Sequence, residues 1–371
     1  MGKISDFQMY CILSLLVGPV AVLETPRVMA HQLQNNSWIG VLAAFIPGIL
    51  IIAMFSYIIK KSQSPFPLIL EEHLGKYLGK ALGFVYIFFF LLVASFTVRW
   101  FVDFIETNVL PQTPISIFIG VLLFLGFYSL RTGMQSFVRV AEIIIIVDLA
   151  FTLIIAFMGI GEFPRFENLL PLTTIHMKPF GLGLFSASYI LGKMQPVLTF
   201  SSYSLNRERI FKIMLWVVAT YVVLITLTTL ATILSLGSLS GTVLVFSTFS
   251  MVRLLRIGTF IQNIDIVFIG IWIMAIFGAT TLPWFMSCYC TQQMFHLKDY
   301  RFLAAPTAII IGIFSIVLSK NILELIIMET DIIPLLYSLF FLGIPFILFL
   351  ICLFKRAPEQ TQTTVPQDEP A

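Results

Sequence analysis

Charge is what this sequence lacks most. Of its 371 residues only 11% are Asp, Glu, Lys or Arg, against roughly 25% in ordinary globular domains. So small a supply cannot cover a water-exposed surface, which excludes a cytosolic enzyme, a nucleic-acid binder and a secreted disulfide scaffold. The net charge of +3 comes from scattered basic residues, so there is no stripe for a polyanion and no nucleic-acid partner is expected. Cysteine is equally sparse. Cys11, Cys288, Cys290 and Cys352 all lie in apolar segments, and Cys288-x-Cys290 has neither the spacing nor the nearby partners of a zinc site. They read as small buried hydrophobes. No Walker loop, metal-ligand cluster or nucleophile elbow occurs, and His31, His73, His176 and His296 fall in loops or at the ends of apolar runs. No catalytic residue, metal or cofactor is expected, so the chain does not read as an enzyme.

Apolar residues are abundant. Hydrophobic residues make up 58% and Phe alone occurs 37 times, for a mean hydropathy of +0.98. These are the proportions of an integral membrane protein with the lipid bilayer as its solvent. A helical span needs about 20 predominantly apolar residues. Such runs occur at 7–30, 39–60, 81–103, 114–130, 140–160, 181–203, 212–236, 263–290, 302–319 and 333–354. Nothing resembles the short alternating strands of an outer-membrane barrel. The expected class is an all-α polytopic membrane protein with ten transmembrane helices. Residues 1–356 form the membrane domain, and 357–371, with almost no apolar residues, form a disordered tail.

Orientation follows from the basic residues. With the N-terminus inside, cytoplasmic segments hold fourteen Lys and Arg, while outer loops hold only Arg165, Lys178, Arg253, Arg256 and Lys320. That bias fits the positive-inside rule and puts both termini in the cytoplasm. The first run is too long for a signal-peptide core, and Glu24 and Arg27 interrupt the approach to Val28-Met29-Ala30, so it reads as the first membrane helix. Residues 68–80 read as an amphipathic segment on the inner face, and 243–258 as an outer interfacial or re-entrant helix.

Two helices break the membrane rules. Helix one carries Gly18-Pro19 in mid-span and helix six carries Gly192 and Pro196. Proline removes a donor and clashes one turn back, and glycine tolerates unusual torsions. Backbone groups freed at membrane depth need protein or a watery cavity to satisfy them. Helices one and six open two five-helix halves, and paired interruptions of that kind point to a transporter-type binding site. Proline kinks that bind nothing are the competing reading. Ionisable residues inside the spans form a second constellation. Glu24 and Arg27 lie three apart and Arg99 and Asp103 four apart, so each pair shares a helix face. Asp148 and Asp265 have no obvious partner nearby in sequence. Lys193 stands beside the helix-six break, where it must be paired, deprotonated or facing water. A ligand contact and a structural ion pair are both open for it. Phe96, Thr97, Thr280 and Thr281, near mid-span on helices three and eight, are further candidates for a small-molecule pocket or for plain interhelical packing.

The chain resembles the B-subunit family of spore germinant receptors, the GerAB-type proteins, a branch of the amino acid–polyamine–organocation transporter superfamily. The resemblance rests on ISDFQMYCILSLLVGPVAVLETPR at the start, RTGMQSFVRVAEI entering helix five, ENLLPL before helix six and IQNIDIVFIGIW entering helix eight. It implies an inverted 5+5 repeat of LeuT-like fold, with broken helices one and six around a ligand pocket. Carried over by position, the breaks fall at Val17, Gly18, Pro19 and Val20 and at Ser188, Tyr189, Ile190, Leu191 and Gly192. The resemblance also implies residence in the spore inner membrane. It further implies an A-type membrane subunit and a C-type lipoprotein as partners, and a nutrient germinant: an amino acid, a sugar or a nucleoside. In one place the chain departs from the pattern. Relatives place an acid near Gly192 where this chain has Lys193-Met194, which argues against an acid-based step at that position. Three readings follow: a nutrient-sensing receptor subunit, a secondary amino-acid transporter coupled to protons or sodium, and a structural subunit with a vestigial pocket.

Overall fold

Apolar runs in lipid have no water to satisfy their backbone, so they close their N–H and C=O groups on themselves as helices. The computed structural model describes residues 2–62, 64–162, 165–170, 176–237, 243–256 and 263–354. In chain order the helices are α1 Asp6–Leu33, α2 Ser37–Ala43, α3 Phe45–Lys61, α4 Phe66–Leu74, α5 Lys76–Asn108, α6 Ile115–Thr132 and α7 Met134–Glu162. There follow α8 Met177–Gly192, α9 Val197–Phe200, α10 Ile210–Leu236, α11 Ser247–Val252, α12 Ile264–Met294 and α13 Ala304–Val317. The last run is α14 Ile322–Ile327, α15 Ile333–Tyr337 and α16 Ile344–Phe354, joined by π-helical segments Met328–Ile332 and Ser338–Gly343. The proposed tail 357–371 lies outside the described residues.

Local chemistry sets the helix ends. Ser5 and Gln8 form a reciprocal capping box at the start of α1, with bonds of 3.1 and 3.2 Å, satisfying two of its orphan N–H groups. Gly75, Gly133 and Gly237 close α4, α6 and α10 at φ of 85°, 102° and 80°, torsions that a side chain would strain.

Among the described residues seven helical runs are long and apolar enough to cross a membrane. The expected spans 7–30 and 39–60 fall in one run, Asp6–Lys61, divided by a 3₁₀ turn at Gln34–Asn36. The run expected at 302–319 is a shorter apolar helix, and 181–203 is interrupted. The last span starts at Ile322 rather than 333, because the π segments carry helical bonding through Met328–Ile332. The amphipathic segment expected at 68–80 is two pieces, parted at Gly75.

Burial separates two kinds of helix. α13 buries Ala304, Thr307, Ile311 and Ser315, a single stripe of the kind that leaves the other faces to lipid. By contrast, every residue in 11–27, 93–105, 189–201 and 278–290 is buried. These stretches belong to α1, α5, α8–α9 and α12. α1 packs against α7, α8, α10 and α12, and the most extensive pairing is between α5 and α12. The core lies where the four buried stretches meet.

Candidate functional site

Helical bonding changes where α8 ends. Lys193, Met194 and Gln195 donate their N–H groups to Ile190, Leu191 and Gly192, three residues back instead of four, at 3.1, 3.2 and 2.8 Å. Val197, Leu198 and Thr199 continue the pattern with Met194, Gln195 and Pro196. Pro196 has no N–H to give the Gly192 carbonyl, and the Gln195 N–H takes that place. The interruption therefore covers Lys193–Pro196, one turn later than the expected Ser188–Gly192. The Gln195 side chain is fully buried, and its amide oxygen and nitrogen have no hydrogen-bond partner among the described residues. Such groups are costly unless something polar meets them.

α1 behaves differently. It is helical from Asp6 to Leu33 straight through Pro19 and Pro26, so the break expected at Val17–Val20 is absent. Pro26 deprives the Val22 carbonyl of its usual donor, and the Thr248 hydroxyl supplies one at 3.0 Å. The Pro19 carbonyl accepts the Trp272 indole N–H at 2.8 Å. A Cβ at Gly18 would collide with the ring and hydroxyl of Tyr221, so the notch that glycine leaves is filled by α10.

A small cavity lies beside the α8 interruption. Leu16 and Val20 of α1, Phe90, Val93 and Thr97 of α5, Lys193, Pro196, Ala279 and Pro283 of α12, and Phe341 of the second π segment enclose it. Its volume of about 20 Å³ admits roughly one water. No amino acid fits there until the surrounding helices part.

Next to the cavity is a buried charge centre. Arg27 is ion-paired to Glu329, whose side chains are 5% and 1% exposed. The Tyr189 hydroxyl donates to Glu24 at 3.1 Å. Lys193 lies over the Tyr337 ring, Nζ to centroid 5.4 Å, within cation–π range, and both Glu24 and Glu329 act on it electrostatically. Two acids and two bases from α1, the α8 interruption and the first π segment balance in charge, the condition for keeping them away from water. Phe96 and Tyr189 pack against Tyr337 at 6.5 and 6.3 Å.

The expected site residues are thus divided. Glu24, Arg27, Lys193, Tyr189, Phe96, Thr97 and Val20 converge. Arg99 and Asp103 form a separate buried pair at 2.9 Å. Asp265 faces Arg253 at 3.9 Å on a partly exposed rim, and Asp148 is buried on α7 within electrostatic reach of Tyr221. α12 contributes Ala279 and Pro283 to the cavity rather than Thr280 and Thr281, and the Thr281 hydroxyl is spent on the Phe277 carbonyl. Ser188 likewise bonds the Leu184 carbonyl. A Cβ at Gly192 would meet Leu342 and Phe341 at 2.9 and 3.1 Å. Glu329, Tyr337, Phe341 and Gln195 were not foreseen. The signal for Glu329 was an acid following the apolar Leu325-Ile326-Ile327-Met328, which a span drawn from residue 333 leaves in a loop.

Comparison with known proteins gives the family and the fold. A family model described as spore germination protein matches residues 3–322. Spore germination protein YndE of Bacillus subtilis (strain 168) is 26% identical over 309 residues, 80% of this chain and 82% of that one. Among solved structures, MhsT in complex with L-phenylalanine superposes with a TM-score of 0.68 at 14% identity, over 94% of this chain and 89% of its own. A Na+-coupled sialic acid symporter in a substrate-bound outward-open state gives 0.68 at 10% identity, over 95% and 79%. At these identities the structural likeness concerns the fold.

Proposed function

This chain belongs to the spore germination protein family, and from that premise we propose that it is the B subunit of a nutrient germinant receptor. On this reading it crosses the spore inner membrane ten times as an inverted 5+5 repeat, with both termini cytoplasmic, and signals through an A-type membrane subunit and a C-type lipoprotein. The observation that carries the proposal is the pairing of an interrupted buried helix with a balanced charge centre at an occluded cavity.

The charge centre suits a small zwitterion. Lys193 offers a cation for a carboxylate, and Glu24 and Glu329 offer acids for an ammonium. The acid missing beside Gly192 in sequence is thereby supplied from α1 and from the first π segment. The unpartnered Gln195 amide offers a donor and an acceptor to a polar ligand. Because the cavity holds about one water, a nutrient binds only a rearranged bundle. Its binding energy then shifts the population toward that arrangement, which is what a sensor needs. The aliphatic and aromatic lining of Leu16, Val20, Phe90 and Phe341 suits the apolar part of such a ligand.

The second reading, a secondary amino-acid transporter coupled to protons or sodium, is favoured by the shared fold with a Na+-coupled symporter. Purified full-length protein in liposomes separates the two, with a panel of radiolabelled amino acids as probes. Saturable binding without uptake is the expected result. Gradient-driven accumulation makes the chain a transporter, and no binding by any of the panel overturns the pocket. In spores, Lys193→Ala is expected to shift the nutrient concentration for half-maximal germination while the protein stays in the membrane. An unchanged dose response removes Lys193 from the site.

A further inference from the structure

The first turns of α1 and α10 enclose a second cleft, which shares no lining residue with the first and is open to the outside of the bundle. Its volume is about 530 Å³, and it is lined by Asp6, Phe7, Tyr10, Arg209, Lys212, Ile213, Trp216 and Thr220. From its shape and charge we infer that this cleft binds an anionic glycerophospholipid, headgroup at the basic mouth and acyl chain along the α10 wall.

The argument starts from spacing. Arg209 precedes α10 directly, and Lys212, Ile213, Trp216 and Thr220 follow at steps of three and four, so they share one helix face. At 1.5 Å per residue, Trp216 stands about 6 Å and Thr220 about 12 Å beyond Lys212 along the axis. A basic pair followed by the apolar Ile213 and Trp216 is the order in which a lipid presents its phosphate and then its glycerol and chain. Phe7 and Tyr10 of α1 form the opposite wall, their rings stacked at 6.3 Å, and the Tyr10 hydroxyl bonds Thr220 at 3.1 Å, closing the inner end. Phe7 is 48% and Trp216 61% exposed, large apolar surfaces at the rim of a basic cleft.

The charges are unbalanced in the direction an anion requires. Asp6 divides its carboxylate between Arg209 at 3.2 Å and the Asn206 amide at 3.1 Å. Lys212 is exposed and has no ion-pair partner among the described residues. Two cations against one acid leave a single positive charge, which one phosphodiester neutralises. A free phosphate would use the mouth and leave the apolar wall unused, whereas a neutral lipid would use the wall and leave Lys212 uncompensated.

The test uses the full-length protein in nanodiscs of equimolar phosphatidylglycerol and phosphatidylcholine, with lipid retained after detergent extraction counted by native mass spectrometry. Phosphatidylglycerol is expected to be enriched on the wild type. Lys212→Gln should lower that enrichment roughly fivefold, the weight of one juxtamembrane basic residue, with phosphatidylcholine unchanged. Trp216→Ala should reduce retention of both lipids. Lys212→Arg should restore the enrichment, separating lost charge from a damaged fold. Equal retention of the two lipids by the wild type, or full enrichment in an Arg209→Gln/Lys212→Gln double variant, overturns the inference. Displacement of the lipid by soluble glycerol phosphate overturns it in favour of a free-anion site. Displacement by an acidic peptide but not by lipid excess overturns it in favour of a protein partner.

Discussion

α1 and the α8–α9 segment carry the same disruptive residues, a glycine and a proline within a few positions of each other, and they respond in opposite ways. α1 runs unbroken through Pro19 and Pro26, whereas α8 stops at Gly192 and its bonding tightens to three-residue steps up to Thr199. The difference lies in their partners. Along α1, Thr248 caps the Val22 carbonyl that Pro26 releases, and Trp272 separately ties the Pro19 carbonyl to α12. Around Pro196, the released Gly192 carbonyl is taken by the neighbouring Gln195 N–H, and satisfying it locally costs the helix its geometry. A proline in a membrane helix therefore marks a demand for a donor, and the supplier decides whether the helix breaks.

The strongest way to break the contrast is to remove the group both regions share. Glu329 pairs with Arg27 of α1 and acts on Lys193 in the interruption. Glu329→Ala leaves Arg27 buried without its acid, and a loss of about 3–5 kcal/mol is expected, read as a large drop in melting temperature in detergent. A drop no greater than that of an exposed control such as Glu162→Ala would show that the pair does not join the two regions.

The next largest effect is expected at Gly18. In an ordinary helix interior Gly→Ala gains nearly 1 kcal/mol of propensity. Here the new Cβ meets a Tyr221 ring that is completely buried and has no room to turn aside. Gly18→Ala is expected to cost roughly 1–3 kcal/mol by overpacking, and Tyr221→Leu in the same chain should return most of it. A double variant no more stable than the sum of the singles would mean that the notch is not what keeps glycine at 18.

Part of this was readable from sequence and part was not, for physical reasons. Scarcity of charge identified the bilayer and singled out Glu24, Arg27 and Lys193, because a charge at membrane depth is too costly to be incidental. The balancing Glu329 was hidden because the acid sits where an apolar run begins, and hydropathy alone draws that edge at residue 333. Gly18-Pro19 and Gly192 with Pro196 were visible as composition. Their outcomes were not, since Thr248 lies 226 positions from the Val22 carbonyl that Pro26 leaves without a donor. The Arg99–Asp103 pair was legible from its four-residue spacing, whereas Asp265 faces Arg253, twelve positions earlier, which no helical spacing suggests. Intramembrane charge is detectable from sequence, but its partner is a matter of packing.

Thr248→Val isolates the long-range cap. It keeps the shape and removes the hydroxyl, leaving the Val22 carbonyl without the donor that replaces the Pro26 N–H. A cost of ~1 kcal/mol is expected, together with a local effect: amide hydrogens of α1 near Pro26 should exchange faster than those near Ser14. Uniform exchange along α1 would show that the cap does not hold the helix together at that point.

The smallest effect is expected at Gly192, and it sharpens the comparison most. A Cβ there meets the end of Leu342 at 2.9 Å and Phe341 at 3.1 Å, and Leu342 is only partly buried, so its chain can swing away as the Tyr221 ring cannot. The propensity gained by Ala and the packing lost should nearly cancel, leaving stability within about 0.5 kcal/mol of wild type. Phe341 also closes the cavity beside Lys193, so the same methyl that leaves the melting temperature unchanged should alter nutrient binding. The two glycines would then separate by readout, with Gly18→Ala measured in stability and Gly192→Ala in ligand affinity. A Gly192→Ala variant that melts early and binds normally would reverse that assignment and make the α8 interruption a packing feature like the notch on α1.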